Sequence, residues 1–534
     1  MLGEKISRTQ FASVSWRSDN RSFFYTRLPG VASGASPSES YRRARVYLHS
    51  LGGDPARENA IFGFGVDPAI PLSEDDFPFV YEVPGSQWVI GAITHGVQNE
   101  MSIWVSRKSH VAAGYWKKIV GTDDAVTDFG VRGEALYLLT HKNAPHFKIT
   151  RTSLQNPNPA GASVVVPASS GVITAMALSS DALYVRRVEG GLGRLWRKAF
   201  SSAKATRIST PFDGAIGSLY ANPEESGALI LMASWTRSPQ WLAFAPSTGK
   251  LWNTGLYPPS PVDFSSISSE EVQARSADGT MIPLSIVRKK DFAFDGSHPT
   301  WLMGYGAYGL TIDPTFSPTR LAMLERGVVL AFAHVRGGGE FGEEWHRGGM
   351  QSTKMNTIAD FIACAEYLIE HKYTAAAHLA GEGASAGGIT IGGAITKSPE
   401  LFAAALIRVG DTNALRSEVM PSGPSNIPEF GTFTTEEGFK SLYAMDAYQH
   451  VVDGTPYTAV LLTTGVNDPR VAPWQAAKMA ARLQAATSSG RPVLLRIDYD
   501  AGHGMGSTKS QRDEELADID TFLLWQLGDP EFQP

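Results

Sequence analysis

The chain of 534 residues contains a single cysteine, Cys364, and therefore forms no intrachain disulfide. Cys364 lies in an apolar stretch of helical pattern, 358–368, where we expect a core residue rather than a nucleophile. No apolar run reaches the roughly 18 residues that a membrane span requires, and the first ten residues are too polar for a signal peptide. We therefore expect a soluble protein of the cytoplasm or periplasm.

Excess positive charge is also missing. The formal net charge is −6, from 47 Lys and Arg against 53 Asp and Glu, and no basic stripe occurs. This balance argues against nucleic acid or an anionic membrane as a partner. The 12 histidines are scattered without the spacing of metal ligands, so we expect neither a metal nor a cofactor, and we favour a monomer. A hydrophobic fraction of 43% is enough for two sizeable cores.

One pentapeptide, 383–387, has the pattern Gly-x-Ser-x-Gly around Ser385. A short strand-like segment precedes it, and a small-residue segment that can start a helix follows. Such a strand–turn–helix forms a nucleophile elbow, in which small neighbours permit the strained backbone of the serine. The pattern is weak evidence by itself, because the chain contains 53 glycines. Its partners therefore decide the interpretation.

Candidate partners follow Ser385 in the order that a serine hydrolase of this kind requires. Asp468 comes directly after the apolar run 459–464, and His503 follows the run 493–497 and precedes a helical pattern, 511–527. A serine hydroxyl is a poor nucleophile at neutral pH, an imidazole takes its proton, and a carboxylate orients the imidazole. We therefore predict a catalytic triad of Ser385, Asp468 and His503.

The C-terminal half alternates apolar strands with helical segments. Continuous apolar runs are typical of strands covered on both faces, and they indicate a doubly wound, mainly parallel sheet that follows a hairpin. The predicted strands are 272–275, 281–288, 300–303, 328–333, 378–381, 403–409, 459–464 and 493–497. Sites in such sheets open at the carboxyl ends of the strands, where all three triad candidates fall.

The N-terminal half contains about five repeats of several short strands each. Phe24, Val89, Tyr137, Tyr184 and Ile230 mark them, with a first interval of 65 residues and later intervals of 46 to 48. Such a period predicts the blades of a β-propeller, although a β-sandwich stays possible. We place the boundary between an all-β domain, 1–261, and the catalytic domain, 262–534.

The segment 334–342, His-Val-Arg-Gly-Gly-Gly-Glu-Phe-Gly, with Trp345, His346, Gly348 and Gly349 after it, resembles the signature of the prolyl oligopeptidase family of serine peptidases. The resemblance runs from about Asp278 to the C-terminus. It implies an α/β-hydrolase catalytic domain, a propeller, and a substrate that is a short peptide cleaved after proline. A propeller that caps the site would admit only slender, unfolded peptides.

The resemblance also implies roles for residues around the triad. Tyr305 matches the tyrosine whose hydroxyl, together with the backbone N–H of Ala386, stabilises the oxyanion. Arg470 matches an arginine that holds a substrate carbonyl. The predicted specificity pocket contains Tyr308, Phe430, Val471, Asn426 and Asp411.

Two departures from the family pattern stand out. The resemblance implies seven blades and a preceding helical segment, so about two blades and that segment are expected to be absent, or the propeller to be reduced or open. In the pocket, Asn426 takes the place of a tryptophan that stacks on proline, and Asp411 takes an apolar position. Asp411 either favours a basic substrate side chain or caps the stretch 413–419.

Four alternatives therefore stay open beside a proline-specific oligopeptidase. The first is an oligopeptidase with a basic or relaxed preference at the cleaved residue. The second is an esterase, although the His-Gly-Gly-Gly oxyanion motif of such enzymes is missing. The last two are a non-catalytic propeller scaffold and a form inactivated by truncation. The intact triad argues against loss of activity in evolution, but it does not argue against damage by truncation.

Overall fold

The computed structural model describes residues 5–10, 13–35, 37–504 and 507–533. Contacts divide the chain into two compact units. The first contains residues up to 232 together with 239–257 and 341–343, and the second contains 233–238, 258–340 and the chain from 344 onward. The boundary after Pro261, between an all-β domain and a catalytic domain, stays a prediction.

The first unit consists of four-stranded antiparallel sheets, each built from four consecutive strands. The first sheet holds β1 (Val14–Trp16), β2 (Ser22–Arg27), β3 (Arg45–Ser50) and β4 (Ala60–Gly63), and the second β5 (Asp76–Glu82), β6 (Trp88–His95), β7 (Met101–Arg107) and β8 (Lys117–Val120). The third holds β9 (Val126–Arg132), β10 (Ala135–Thr140), β11 (Lys148–Ser153) and β12 (Ser163–Val166). The fourth holds β13 (Val172–Leu178), β14 (Ala182–Glu189), β15 (Leu192–Ala199) and β16 (Thr206–Ile208), and the fifth β17 (Ala215–Tyr220), β18 (Ala228–Ala233), β19 (Gln240–Ala245) and β20 (Lys250–Asn253).

The sequence repeat corresponds to these sheets. Each of the five marker residues lies in the second strand of its sheet: Phe24, Val89, Tyr137, Tyr184 and Ile230. Apolar clusters join each sheet to the next along the chain, for example Phe24 and Val46 of the first sheet with Val89 and Ile93 of the second. Within the described residues of this unit, five separate sheets pack in succession, which is the arrangement of propeller blades rather than of the two layers of a sandwich.

The second unit is built on an eight-stranded sheet with the order β21-β22-β24-β23-β25-β26-β27-β28. Its strands are β21 (Ile267–Arg275), β22 (Met281–Lys289), β23 (Thr300–Gly304), β24 (Val329–Ala333), β25 (Leu379–Ala384), β26 (Ala404–Arg408), β27 (Ala459–Gly465) and β28 (Val493–Asp498). The first two form an antiparallel hairpin, and the strands from β23 onward pair in parallel. The predicted hairpin and mainly parallel sheet are confirmed.

Helices cover both faces of this sheet. They are α1 (Arg320–Glu325), α2 (Glu343–Arg347), α3 (Met355–Glu370), α4 (Gly387–Lys397), α5 (Ile427–Phe430), α6 (Glu436–Met445), α7 (Trp474–Ala486) and α8 (Lys509–Gln526). Helices α3, α4 and α7 contribute to the apolar core on one face, and α1 and α8 contribute to the core on the other. Cys364 on α3 is fully buried, and burial raises the pKa of its thiol well above the usual value, as expected for a core residue.

The predicted strand before Ser385 differs from the structure at both ends. We expected 378–381, but β25 begins at Leu379 and continues to Ala384 through two glycines. Pairing with β23 on one side and β26 on the other keeps these glycines in the sheet despite their low strand propensity. The strand therefore runs up to the residue before Ser385. Among the described residues, no helix is both long and apolar enough to cross a bilayer.

Candidate active site

Ser385 occupies the sharp turn between β25 and α4. Its φ is +54°, a left-handed conformation that is unfavourable for a residue with a Cβ atom. The turn has no room for a side chain at Gly383, two residues before the serine, because a Cβ there would lie 2.0 Å from the carbonyl oxygen of Gly387. The Ser385 N–H donates to the carbonyl of Arg408 at 2.9 Å and ties the turn to β26. The glycines thus permit the elbow and the neighbouring strand supports it.

His503 connects the serine to an aspartate. Its Nε2 lies 2.9 Å from Ser385 Oγ, and its Nδ1 lies 2.6 Å from Asp468 Oδ2. The Asp468 side chain is fully buried, and its other oxygen accepts hydrogen bonds from the N–H groups of Arg470 and Val471 at 2.8 and 3.0 Å. The structure thus brings the three predicted triad residues together, with the carboxylate held by its own loop.

Tyr305 follows the end of β23, and Ala386 is the first residue after the serine. Burial raises the pKa of the Tyr305 hydroxyl to about 12, so the group carries its proton at neutral pH. The nearby Ser385 and Arg470 side chains oppose part of this shift in pKa. Ala386 stands at the N-terminal end of α4, where backbone N–H groups lack acceptors within the helix. Both groups are donors of the kind that an oxyanion requires.

A small cavity of about 30 Å³ opens beside Ser385. Its lining includes all six residues that we predicted to contact substrate, which are Tyr308, Asp411, Asn426, Phe430, Arg470 and Val471. Ala386, Met420 and Ser422 also line it. The rings of Tyr308 and Phe430 meet edge to face with their centroids 5.6 Å apart and form an aromatic wall. The cavity is therefore partly apolar and next to the nucleophile.

Asn426 makes this wall polar at one point. Its Oδ1 accepts a hydrogen bond from the Tyr308 hydroxyl at 2.8 Å, and its Nδ2 donates to the Ser422 carbonyl at 3.1 Å. The amide therefore holds the Tyr308 ring in place. It does not provide the flat aromatic face that a tryptophan at this position would present to a proline. The wall keeps two rings, Tyr308 and Phe430, on which an apolar substrate side chain can pack.

Asp411 is buried at the cavity and does not cap the following helix. The cap position of the 3₁₀ helix Ala414–Val419 is Asn413, and the capping alternative is therefore wrong. Asp411 instead accepts hydrogen bonds from the Ser417 hydroxyl and, at 3.1 Å, from Gln475 Nε2. Burial raises the pKa of its carboxyl to about 6, against the effect of these donors.

A second set of buried polar groups lies next to Tyr305 and Tyr308, and no sequence pattern indicates it. Glu429 accepts from the Tyr308 N–H at 2.8 Å, and its other oxygen lies 2.8 Å from His346 Nε2. Lys354 is fully buried and donates to the Gly306 carbonyl. Lys354 stands in a polar segment just before α3, which reads as solvent-exposed. In the sequence His346 stands out only as part of the signature segment.

One group of side chains in the first unit, among the described residues, has a geometry that could hold a metal ion. The ligand atoms of Glu100, His141 and Glu343 lie within 4.8 Å of one another. His141 Nε2 is hydrogen-bonded to Glu100 at 2.7 Å. The sequence spacing of the histidines did not reveal this group, because its members come from distant segments.

Comparisons with known proteins agree with the site and the fold. The model of the prolyl oligopeptidase family matches residues 314–530, and that of the prolyl oligopeptidase N-terminal beta-propeller domain matches residues 1–253. The prolyl endopeptidase of Elizabethkingia miricola is 29% identical over 99% of this chain and 73% of its own length. The dual function macrocyclase-peptidase POPB of Galerina marginata is 29% identical with the same coverage.

Solved structures give the same result. Prolyl oligopeptidase B from Galerina marginata, bound to a 25mer macrocyclization substrate, superposes with a TM-score of 0.90 and 26% identity. The match covers 99% of this chain and 74% of that one. The first unit is thus a β-propeller and the second an α/β-hydrolase domain. Both halves of the chain match, and the protein is a serine-type peptidase that belongs to the prolyl oligopeptidase family.

Proposed function

We propose that this protein is an oligopeptidase that hydrolyses short peptides on the carboxyl side of proline through an acyl-enzyme. The observation that carries the proposal is the position of His503, within hydrogen-bond distance of both Ser385 Oγ and Asp468. An imidazole placed in this way takes the serine proton, while the carboxylate fixes its tautomer and stabilises its cation. In this proposal the propeller is the domain 1–261 and the catalytic domain is 262–534.

The reaction starts when Ser385 Oγ attacks the substrate carbonyl and His503 Nε2 takes the hydroxyl proton. The negative charge that develops on the carbonyl oxygen accepts hydrogen bonds from the Tyr305 hydroxyl and the Ala386 N–H. The intermediate then collapses, His503 gives its proton to the leaving amine, and an ester to Ser385 remains. Water, deprotonated by His503, hydrolyses that ester and restores the serine. Arg470, at the mouth of the cavity, holds a carbonyl of the substrate backbone.

The cavity supports a small residue at the cleaved position. A volume of about 30 Å³ accommodates one or two water molecules, and therefore a compact side chain rather than an extended one. Tyr308, Phe430 and Val471 provide apolar contact for a proline ring. The related prolyl endopeptidase and the peptide-bound prolyl oligopeptidase B support the same substrate class. The cytoplasmic or periplasmic location and the monomeric state stay predictions.

A second specificity is favoured by one residue, Asp411. A carboxylate at the cavity attracts a basic side chain, and it is ionised above a pH of about 6. Against this, Ser417 and Gln475 already donate to both of its oxygens, and the cavity is too small for an extended lysine. We therefore place proline first and a basic or relaxed preference second.

The test compares fluorogenic peptides that differ only at the cleaved residue, with Pro, Ala, Lys or Arg. We expect the highest kcat/KM for Pro, and the same ranking in Asp411→Asn. A preference for Lys or Arg that disappears in Asp411→Asn would replace proline by a basic residue in this proposal. Cleavage of a p-nitrophenyl ester without cleavage of any peptide would favour the esterase alternative.

A further inference from the structure

Lys354 is the most deeply buried lysine of the site region, with no exposed side-chain surface. It lies directly before α3, and its Nζ donates to the carbonyl oxygen of Gly306. The ammonium also faces the ring of Phe430, whose centroid is 5.5 Å away. Lysine is almost never fully buried without a partner, because desolvation of the charge is costly. The reaction described above gives this costly arrangement no role.

The loop that carries Tyr305 is held at three backbone atoms by buried side chains. Thr390 Oγ1 donates to the Tyr305 carbonyl at 2.8 Å, Lys354 donates to the next carbonyl, and Glu429 accepts from the Tyr308 N–H at 2.8 Å. Each anchor comes from a different segment, so the loop is fixed from several sides. Two of the three anchors are ionisable groups.

This loop needs support because two of its residues have a left-handed backbone conformation. Gly306 has φ +75° and Tyr308 has φ +60°, and the second value is uncommon for a residue with a bulky side chain. A left-handed tyrosine keeps this conformation only when its surroundings determine it. Glu429 holds the Tyr308 N–H, and its second oxygen is in turn paired with His346. The anchors therefore determine where both Tyr305 and Tyr308 point.

The two ionisable anchors stabilise each other. Burial lowers the pKa of Lys354 to about 8, and the Glu429 carboxylate opposes this shift. Glu429 is itself only 2% exposed. Opposite charges in a buried site interact strongly, so each of the two groups favours the charged form of the other.

We propose that Lys354 and Glu429 are positioning residues that hold the loop 305–308, so that the Tyr305 hydroxyl meets the oxyanion and the Tyr308 ring forms the pocket wall. The proposal rests on the proposed function, since it concerns the oxyanion donor of that reaction. Neither side chain lines the cavity beside Ser385. Their effect on the rate therefore passes through Tyr305.

A double-mutant cycle between Lys354→Met and Tyr305→Phe tests this path. Methionine keeps the length of the side chain in an apolar site but cannot donate to the Gly306 carbonyl. We expect Lys354→Met to lower kcat on a proline peptide about 10- to 100-fold with little change in KM, because small misplacements of catalytic groups have effects of that size. In the Tyr305→Phe background the same change should lower kcat less than about threefold, since the donor it positions is gone.

Two further variants distinguish a positioning role of Lys354 from a general disruption of the protein. Lys354→Gln keeps a donor for the Gly306 carbonyl and should recover part of the rate. Lys397→Met removes an exposed lysine at the end of α4 and should leave kcat unchanged. If Lys354→Met does not fold, as judged by near-UV circular dichroism, the cycle is run with Glu429→Ala, which releases the Tyr308 N–H.

The second readout is the rate at which a fluorophosphonate labels Ser385, which requires the oxyanion donor but no peptide. If the wild-type enzyme cleaves no peptide, the proposed function fails, yet the labelling cycle still tests the positioning role. Equal fold-losses of labelling for Lys354→Met in both backgrounds would overturn the inference. So would a folded Lys354→Met enzyme that labels at the wild-type rate.

Discussion

His503 Nε2 lies 2.9 Å from Ser385 Oγ, although 118 positions of sequence separate the two residues. The parallel sheet makes this possible, because β25 and β27 end at the same edge and the loop after β28 returns to it. The serine is fixed by its elbow and the histidine by Asp468. The chemistry therefore depends on the register of the sheet as much as on the three side chains.

Replacing Ser385 by alanine should abolish both peptide hydrolysis and labelling by a fluorophosphonate, because the proposed nucleophile is removed. His503→Ala should lower kcat about as much as Ser385→Ala does, and the double variant should lower it little further, since members of a triad act as a unit. The matched control is Ser510→Ala, an exposed serine on α8. Labelling that persists in Ser385→Ala would place the nucleophile elsewhere.

Tyr305→Phe should lower kcat about 10²- to 10³-fold, which corresponds to about 2.7 to 4 kcal/mol, because one oxyanion donor is lost. KM should change little, since the hydrogen bond strengthens only in the transition state. Steady-state kinetics on a proline peptide measures both constants. Tyr443→Phe, at a tyrosine that is 45% exposed, serves as the control. A wild-type kcat in Tyr305→Phe would remove Tyr305 from the reaction.

Gly383→Ala should destabilise the elbow by about 3 kcal/mol or more, because the new Cβ would lie 2.0 Å from a backbone oxygen that cannot move without shifting α4. Gly454→Ala is the matched control, with φ +79° and no atom within 4 Å of the new Cβ. Gly454→Ala should lower the free energy of unfolding by about 1 to 2 kcal/mol, which is the strain of a left-handed backbone at a residue with a Cβ atom. Urea denaturation of both variants measures the difference, and equal losses would show that the elbow tolerates a side chain.

Asp411 should make stability depend on pH in a defined window. Its carboxyl has a pKa of about 6 in the folded protein, against 3.8 as the ordinary value. Between these values the folded state keeps a proton that the unfolded chain has lost, so the free energy of unfolding falls as pH rises from about 4 to 6. Above that window both states are ionised, and this contribution is constant.

Asp411→Asn removes the titration and its effect on stability. The free energy of unfolding of the variant, relative to wild type, should therefore increase by about 2 kcal/mol between pH 4 and pH 7. Taking the difference cancels the other carboxyls that titrate in the same range. Urea denaturation at several pH values measures it. A difference that does not change with pH would mean that Asp411 is ionised throughout.

Much of the catalytic centre was predictable because its signals are local. Gly383 and Gly387 mark the elbow, and Asp468 and His503 each follow an apolar run that the structure shows as a strand. The order of the runs places all three candidates at one edge of the sheet. The repeat of 46 to 48 residues predicted the five sheets for the same reason, since each blade is a contiguous segment.

The hydrogen-bond partners of the pocket residues were not predictable from local sequence patterns. The sequence placed Asp411 at the pocket or at a helix cap, and its neighbours Ser417 and Gln475 decided between them. Gln475 is 64 positions away, so no local pattern reports the contact. Asn426 likewise has a meaning only through its hydrogen bond to Tyr308, 118 positions away.

By itself the sequence determined which residues we propose as nucleophile and partners, and the kind of domain that holds them, because short-range patterns of glycine and apolar residues encode strands, turns and their order. Only the tertiary structure decided that Lys354 is buried and donates to the loop of Tyr305. In the sequence Lys354 stands among polar residues, and burial is a property of what packs around a side chain. Partners for a buried charge come from distant segments, and the fold alone brings them together.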